Sequence, residues 1–227
     1  MEKEPIISAI IPAYNEEERI ETTLRAVRRI PLVDEIIVVD DGSRDATEQL
    51  ARRHADYVIR LPKNRGKGQA LAEGIRYAAG DVYLFLDADL ERHAKLCGSL
   101  LSPVLAGEAD MTIARFPPAR KKGGFGLVKG LARSGVRRLT GTTLQATLSG
   151  QRAVKREVMQ SISILPSGFG IELGLTVSAL RFGYCVKEVP LPMSHRETGR
   201  DWNGFLHRGR QFLQILRTLI KLWRQPV

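Results

Sequence analysis

Apolar residues fall into two patterns along this chain, unbroken short runs in the first half and helically spaced stripes later. Ile6–Ile11, Ile36–Val39, Tyr57–Ile59 and Val82–Leu86 are the short runs; the first, second and fourth read as buried strands, and Tyr57–Ile59 as a short third strand. Pro12 ends the first run, Asp40-Asp41-Gly42-Ser43 ends the second, and Asp87-Ala-Asp89 ends the fourth. Between them lie segments with helical spacing. Asn15 is placed to cap a helix with Glu18 at the capping-box position, and Ile20, Leu24 and Val27 share its inner face. Ser43 or Asp45 opens a second helix that runs to about His54. A third spans Gln69 to Ala79 after the glycine loop Lys63–Gly68. Strands alternating with helices predict an α/β fold, a mostly parallel central sheet with right-handed connections and its polar strand ends along one edge.

The second half is less regular. A helix from Glu91 to about Ala106, a strand at Met111–Ala114, a glycine loop around Pro117–Gly126 and a basic amphipathic helix to about Gly141 are expected. Gly168–Glu172 enters another helix through about Phe182, and Cys185–Val189 reads as a strand. In the tail, Phe205, Phe212, Leu216, Leu219 and Trp223 form an apolar stripe flanked by Leu213 and Ile220. Arg210, Arg217, Lys221 and Arg224 lie toward the other side. That stripe suits packing on the domain, contact with a second copy, or a membrane surface. The division expected is a domain over 1–200, with halves 1–115 and 116–200, and a helical extension over 201–227.

Composition narrows the setting. The chain has 227 residues, 43% of them hydrophobic and 26% charged, and can bury a full core. Cys97 and Cys185 have no metal-ligand spacing, no signal-peptide pattern opens the chain, and no apolar run nears the roughly 20 residues that span a bilayer. A cytoplasmic protein is expected. Its net charge of +10 calls for an anionic partner, and the segment from Arg115 to Arg138 carries Lys and Arg with no acid. Nucleic acid is disfavoured, because aromatic residues make up only 6% and no nucleic-acid motif interleaves the cations.

The candidate chemistry sits at the strand ends. Asp87 and Asp89, two apart in extended chain, can address one divalent cation at the sheet edge where such folds bind ligands. Hard carboxylate oxygens suit Mg²⁺ or Mn²⁺. Gly66 and Gly68 let backbone approach a ligand, and Lys63 or Lys67 can meet phosphate charge; the spacing is not that of a Walker loop. An acidic turn with solvated lysines is the plain alternative.

Pro12-Ala-Tyr-Asn-Glu16, Val39-Asp-Asp-Gly-Ser43, Asn64-Arg-Gly-Lys-Gly68 and Asp87-Ala-Asp89 together resemble a family 2 glycosyltransferase of the GT-A fold. The likeness is close over about the first 115 residues. Ser149-Gly-Gln-Arg152, Phe169–Glu172 and His195-Arg-Glu-Thr-Gly199 carry it on more loosely, nearest to the polyprenyl-phosphate sugar transferases of the dolichyl-phosphate mannose synthase kind. The resemblance implies a nucleotide-diphosphate sugar donor. It places Pro12, Ala13, Tyr14 and Glu16 around base and ribose, with Asp41 accepting from the base and Asp40 bracing the loop. Lys63, Gly66, Lys67, Asp87, Ala88 and Gln151 complete the donor site. It gives the metal to Asp87 and Asp89, with Asp89 the more direct contact and His195 a third ligand, and it implies inversion at the sugar.

On the acceptor side it places Glu172 as a catalytic base for a hydroxyl acceptor, or as an orienting group for a phosphate. Arg152, Arg196 and Arg200 would bind an anionic acceptor. UDP-sugars rank ahead of GDP-mannose. The acceptor is expected to be a polyprenyl phosphate reached from the membrane surface, or alternatively a soluble hydroxyl or phosphorylated small molecule. A sugar nucleotidyltransferase is the remoter reading, since strand one lacks a basic glycine loop after it.

Overall fold

A computed structural model of the protein describes residues 4–117, 127–162, 170–193 and 202–224, without the side chains of 202–211. Among the described residues seven strands form one sheet in the order β3-β2-β1-β4-β6-β5-β7. These are β1 (Ile7–Ala13), β2 (Glu35–Asp40), β3 (Tyr57–Arg60), β4 (Val82–Phe85), β5 (Met111–Arg115), β6 (Arg152–Lys155) and β7 (Val186–Pro190). The first four are parallel, as the alternating pattern requires. β6 runs antiparallel to both β4 and β5, and β7 pairs parallel with β5. Both halves of the chain therefore build the same sheet. β6 is the strand that hydrophobic patterning misses, because Arg152-Ala-Val-Lys155 carries a cation at either end.

Alternation along the strands gives each face its own core. Ile7, Ala9 and Ile11 of β1 and Val82 and Leu84 of β4 point to one side. There they meet α1 (Ile20–Val27), the 3₁₀ helix Glu91–Leu100 and α4 (Leu101–Leu105). Ile10, Tyr83 and Phe85 point to the other side, with Leu71 of α3 (Lys67–Tyr77) and the buried residues of α5 (Leu127–Thr140), α7 (Ile171–Arg181) and α8 (Trp202–Arg224). The inner face expected for α1 is buried as the spacing required, with Ile20, Leu24 and Val27 inaccessible. Two further short helices lie among the described residues, α2 (Thr47–Ala51) and α6 (Arg156–Ser161).

Three local expectations differ. Asn15 does not cap α1: its φ is 54°, its side chain reaches another loop, and the helix begins four residues after Glu16. The segment after Glu91 is mainly 3₁₀ rather than one α-helix. In α8 the buried face is Ile215, Thr218, Leu219 and Leu222, while Leu213, Ile220 and Trp223 are exposed, Trp223 by 70%. The outward face thus mixes those apolar residues with Arg217, Lys221 and Arg224. α8 packs on α5 and α7, and Arg181 donates to the Leu222 carbonyl at 2.6 Å. Among the described residues no helix is long and apolar enough to cross a membrane. The glycine loop at 118–126 lies outside the described residues, as does the side chain of Phe205.

Candidate active site

Because β1, β2 and β4 are parallel neighbours, their C-terminal ends open on one edge. The loops leaving β1 and β2 are stitched together there. The Asn15 amide donates to Ser43 Oγ at 2.9 Å, Arg44 N–H donates back to Asn15 Oδ1 at 2.9 Å, and Glu16 N–H donates to Thr47 Oγ1 at 2.7 Å. Left-handed backbone at Asn15, a conformation Asn tolerates better than most residues, makes the exchange possible. Asp41 then fixes a third loop, accepting from Arg65 N–H and Gly66 N–H at 2.7 Å each. Gly42 lies against that loop with φ 74°, and a Cβ there would stand 2.7 Å from the Lys63 carbonyl carbon. Asp41 is 3% exposed. Its carboxylate, expected to meet a base, is engaged in shaping the glycine loop. Asp40 is fully buried; Oδ1 accepts from Ser43 N–H at 3.1 Å, while Oδ2 has Arg60 Nε at 3.8 Å and no hydrogen-bond donor.

A second constellation forms where β4 ends. Lys67, the first residue of α3, sets its ammonium 2.6 Å from Asp87 Oδ1 and 3.0 Å from Glu172 Oε1. Gln151 donates from its amide to Asp87 Oδ2. Gly150 makes room for this: a Cβ there would meet the ammonium and lie 3.1 Å from both Asp87 oxygens. Burial pulls the Lys67 pKa down, but Asp87 and Glu172 outweigh it and the net direction is up. A small hollow beside the pair is walled by Leu71, Ile75, Phe85, Met159, Ile171 and Leu175.

A third group faces it. Arg19 forms an ion pair with Glu16 at 2.9 Å and approaches Asp89 at 3.9 Å. The Glu16 carboxyl is held above its ordinary range by burial first; Arg19 opposes this, and Asp89, Asp45 and Asp87 reinforce it. The edge therefore crowds carboxylates that a cation would relieve. Asp87 and Asp89 offer hard oxygens to such a cation, so Mg²⁺ or Mn²⁺ fits these residues. Among the described residues no group of three or more acids, His or Cys makes a closed cage. The two aspartates would need further oxygens from a bound ligand.

The remaining expected residues are placed unevenly. Tyr14 is 40% exposed at the edge, and Lys63 is exposed on the loop that lies against Gly42. Pro12 is half-buried. Ala13 and Ala88 lie in the core; the Ala13 carbonyl accepts from Asp41 N–H, and the Ala88 carbonyl accepts from Thr23 Oγ1 at 2.8 Å. Arg152 is a correction. It is 1% exposed, and its guanidinium donates to the Ser149 and Thr147 carbonyls and to Thr176 Oγ1, so it braces the turn that presents Gly150 and Gln151 rather than meeting an acceptor. Burial lowers its pKa to about 10, against an opposing pull from Glu172. His195, Arg196 and Arg200 lie outside the described residues. Arg19 and Thr23 were missed. Only the spacing of Arg19, three after Glu16, could have flagged it; Thr23 is a buried hydroxyl on a helix, with no sequence signal of its tie to the turn after Asp87.

The family model described as Glycosyl transferase family 2 matches residues 8–162. Glucosyl-3-phosphoglycerate synthase of Mycobacterium tuberculosis is 31% identical, over 94% of this chain and 72% of that one. Dolichol-phosphate mannosyltransferase of Pyrococcus furiosus is 26% identical, over 96% and 64%. A crystal structure of the Mycobacterium tuberculosis synthase in complex with Mn²⁺, uridine diphosphate and phosphoglyceric acid superposes with a TM-score of 0.83 at 29% identity, covering 98% of this chain and 80% of that one. Another, with Mn²⁺, UDP-glucose and glycerol 3-phosphate, gives a TM-score of 0.79 at 29% identity, covering 98% and 82%.

Proposed function

This chain belongs to glycosyl transferase family 2 and is a hexosyltransferase, and from that premise we propose that it moves a hexosyl group from a UDP-sugar to a small phosphorylated acceptor in a Mg²⁺- or Mn²⁺-dependent reaction. The observation that carries the donor reading is the convergence of Asp87, Lys67, Gln151 and Glu172 at the edge where β1, β2 and β4 end. Such an edge is where open parallel sheets bind nucleotides. The acceptor reading rests on solved relatives bound to phosphoglyceric acid and glycerol 3-phosphate, at close to 30% identity over nearly the whole chain. It displaces polyprenyl phosphate as the leading choice.

In this arrangement the stitched loops after β1 and β2 set the walls for base and ribose, with Tyr14 exposed on the edge and Asp41 fixing the glycine loop. Asp87 and Asp89 would hold the divalent cation, which supplies Lewis-acid stabilisation of the departing diphosphate. Lys67 places a cation beside the same phosphates. The C1–O bond to the diphosphate breaks with its electron pair leaving on UDP, and a new C1–O bond forms to the acceptor hydroxyl, whose proton departs. Glu172, anchored through Lys67, is positioned to orient that hydroxyl or take its proton. The test is a product assay crossing UDP-glucose and GDP-mannose with 3-phosphoglycerate, glycerol 3-phosphate and a polyprenyl phosphate. Expected are transfer from the UDP-sugar to a soluble phosphate, abolition by EDTA, and at least about a hundredfold loss in Asp89→Asn. Faster transfer to the polyprenyl phosphate would reverse the acceptor assignment.

A second reading, transfer at an anionic membrane surface, draws on the outward face of α8. Leu213, Ile220 and Trp223 stand exposed there among Arg217, Lys221 and Arg224, and neither α5 nor α8 contains an acid. Co-sedimentation with phosphatidylglycerol vesicles should then rise with anionic lipid and fall with salt. The Arg217→Gln, Lys221→Gln, Arg224→Gln triple variant should lose it. Indifference to vesicles of any charge removes this reading.

A further inference from the structure

Lys67 occupies a position that donor binding alone does not explain. Its ammonium joins two carboxylates distant in sequence, Asp87 at the end of β4 and Glu172 in the first turn of α7, at 2.6 and 3.0 Å. Gln151 holds the other Asp87 oxygen, and Gly150 packs so closely that any side chain there would meet the ammonium. The cradle is thus built around a cation already present in the chain. One of the carboxylates it holds is the one the donor's metal would need. We propose that Lys67 is the resident counter-cation of the donor site: it pairs with Asp87 and Glu172 in the free enzyme and yields Asp87 to the metal only when a nucleoside diphosphate arrives to receive the ammonium. The proposal rests on the donor reading above and adds an order of events to it.

The physical reason is charge balance. A divalent cation entering alone must break the Lys67–Asp87 pair and then sit beside the displaced ammonium, with no new anion to offset it. A cation entering with a diphosphate brings oxygens for both positive groups. Metal and nucleotide therefore bind with positive coupling, and by linkage each strengthens the other equally. Arg19, 3.9 Å from Asp89, sets a second and weaker cation against the other aspartate, pointing the same way.

Calorimetric titration of Mn²⁺ alone, UDP alone and Mn²⁺ with UDP tests this on the wild type, Lys67→Met and Lys67→Gln; the glutamine keeps a hydrogen-bond donor for Asp87 and guards against local collapse. Expected is weak binding of Mn²⁺ alone to the wild type and binding about tenfold or more tighter in both variants, because Asp87 and Glu172 are left needing a cation. The coupling between Mn²⁺ and UDP should shrink by the same factor. Melting temperatures give an independent readout: the metal-free variants should melt lower than the wild type, and Mn²⁺ alone should restore them. Unchanged or weaker Mn²⁺ affinity in both variants, or a lowered melting temperature that Mn²⁺ does not recover, overturns the proposal. If the wild type binds Mn²⁺ with UDP normally in that case, only the role of Lys67 falls. If it binds neither, the donor reading falls with it.

Discussion

The loops that end β1, β2 and β4 are held in place by polar groups bonding to backbone amides, whereas α8 is held on α5 and α7 mainly by apolar side chains closing over small ones, with one hydrogen bond from Arg181 to the Leu222 carbonyl. At the first region Ser43, Thr47, Asp40 and Asp41 each accept from an amide of a loop residue, so position is fixed by direction and distance. At the second, Leu219 lies over Gly135 so closely that an added Cβ would stand 2.6 Å from its Cδ1. Hydrogen bonds are specific about angle, so the first region holds its groups with little tolerance. Dispersion contacts are additive and forgiving, so the second region is a support whose outward face is free to carry other chemistry. The charges follow the same division, with Asp40, Asp41, Asp87 and Asp89 at the strand ends and α5 and α8 free of acids.

A methyl group placed in each region should separate the two kinds of attachment. Gly42→Ala is expected to have the largest effect. It forces a non-glycine residue to φ 74° and drives a Cβ into the Lys63–Asn64 backbone at 2.7 to 2.9 Å. A loss of about 2 to 4 kcal/mol is expected from the backbone strain and the displaced loop together. UDP binding should fall with it, because Asp41 can no longer hold Arg65 and Gly66. Gly135→Ala meets only the flexible end of Leu219, so a smaller cost of about 1 to 2 kcal/mol is expected, with UDP affinity unchanged. Melting curves and UDP titrations on both variants check this. Equal losses of UDP affinity would erase the distinction drawn between the regions.

How much of this could be read from the sequence follows from the same physics. The parallel strands and the face of α1 were legible because Ile10, Ile37 and Leu24 belong to runs and spacings that only burial explains. β6 was not, since Arg152, its guanidinium hydrogen-bonded to two carbonyls and the Thr176 hydroxyl, buries a cation that patterning assigns to the surface. Asp87, Asp89 and Lys67 could be named from their motifs. Their pairing could not, because Lys67 meets Glu172 across 105 positions and no periodicity encodes that. The rotation of α8 was misjudged for a related reason: with apolar residues on more than one side, only Gly135 and the α5 and α7 surfaces decide which side turns inward.

The smallest effect should come from Glu16, and its sign separates a structural carboxylate from one strained by its neighbours. Burial raises its pKa above the ordinary 4.5, Arg19 opposes, and Asp89, Asp45 and Asp87 add to the rise. A carboxyl whose folded pKa exceeds its unfolded one stabilises the fold below the unfolded pKa, and that contribution is lost as pH rises through the folded value. At pH 7 the ionised group therefore works against the metal-free fold. Glu16→Gln should raise the melting temperature of the free enzyme at pH 7 by about 1 to 2 °C, with the gain vanishing below about pH 4. Adding Mn²⁺ with UDP should shrink the gain at pH 7, because a cation beside Asp87 and Asp89 offsets the repulsion that Glu16 feels. A lower melting temperature at pH 7 in the absence of metal would mean that the 2.9 Å pair with Arg19 outweighs the crowding, and that Glu16 belongs with the stitched loops as a brace.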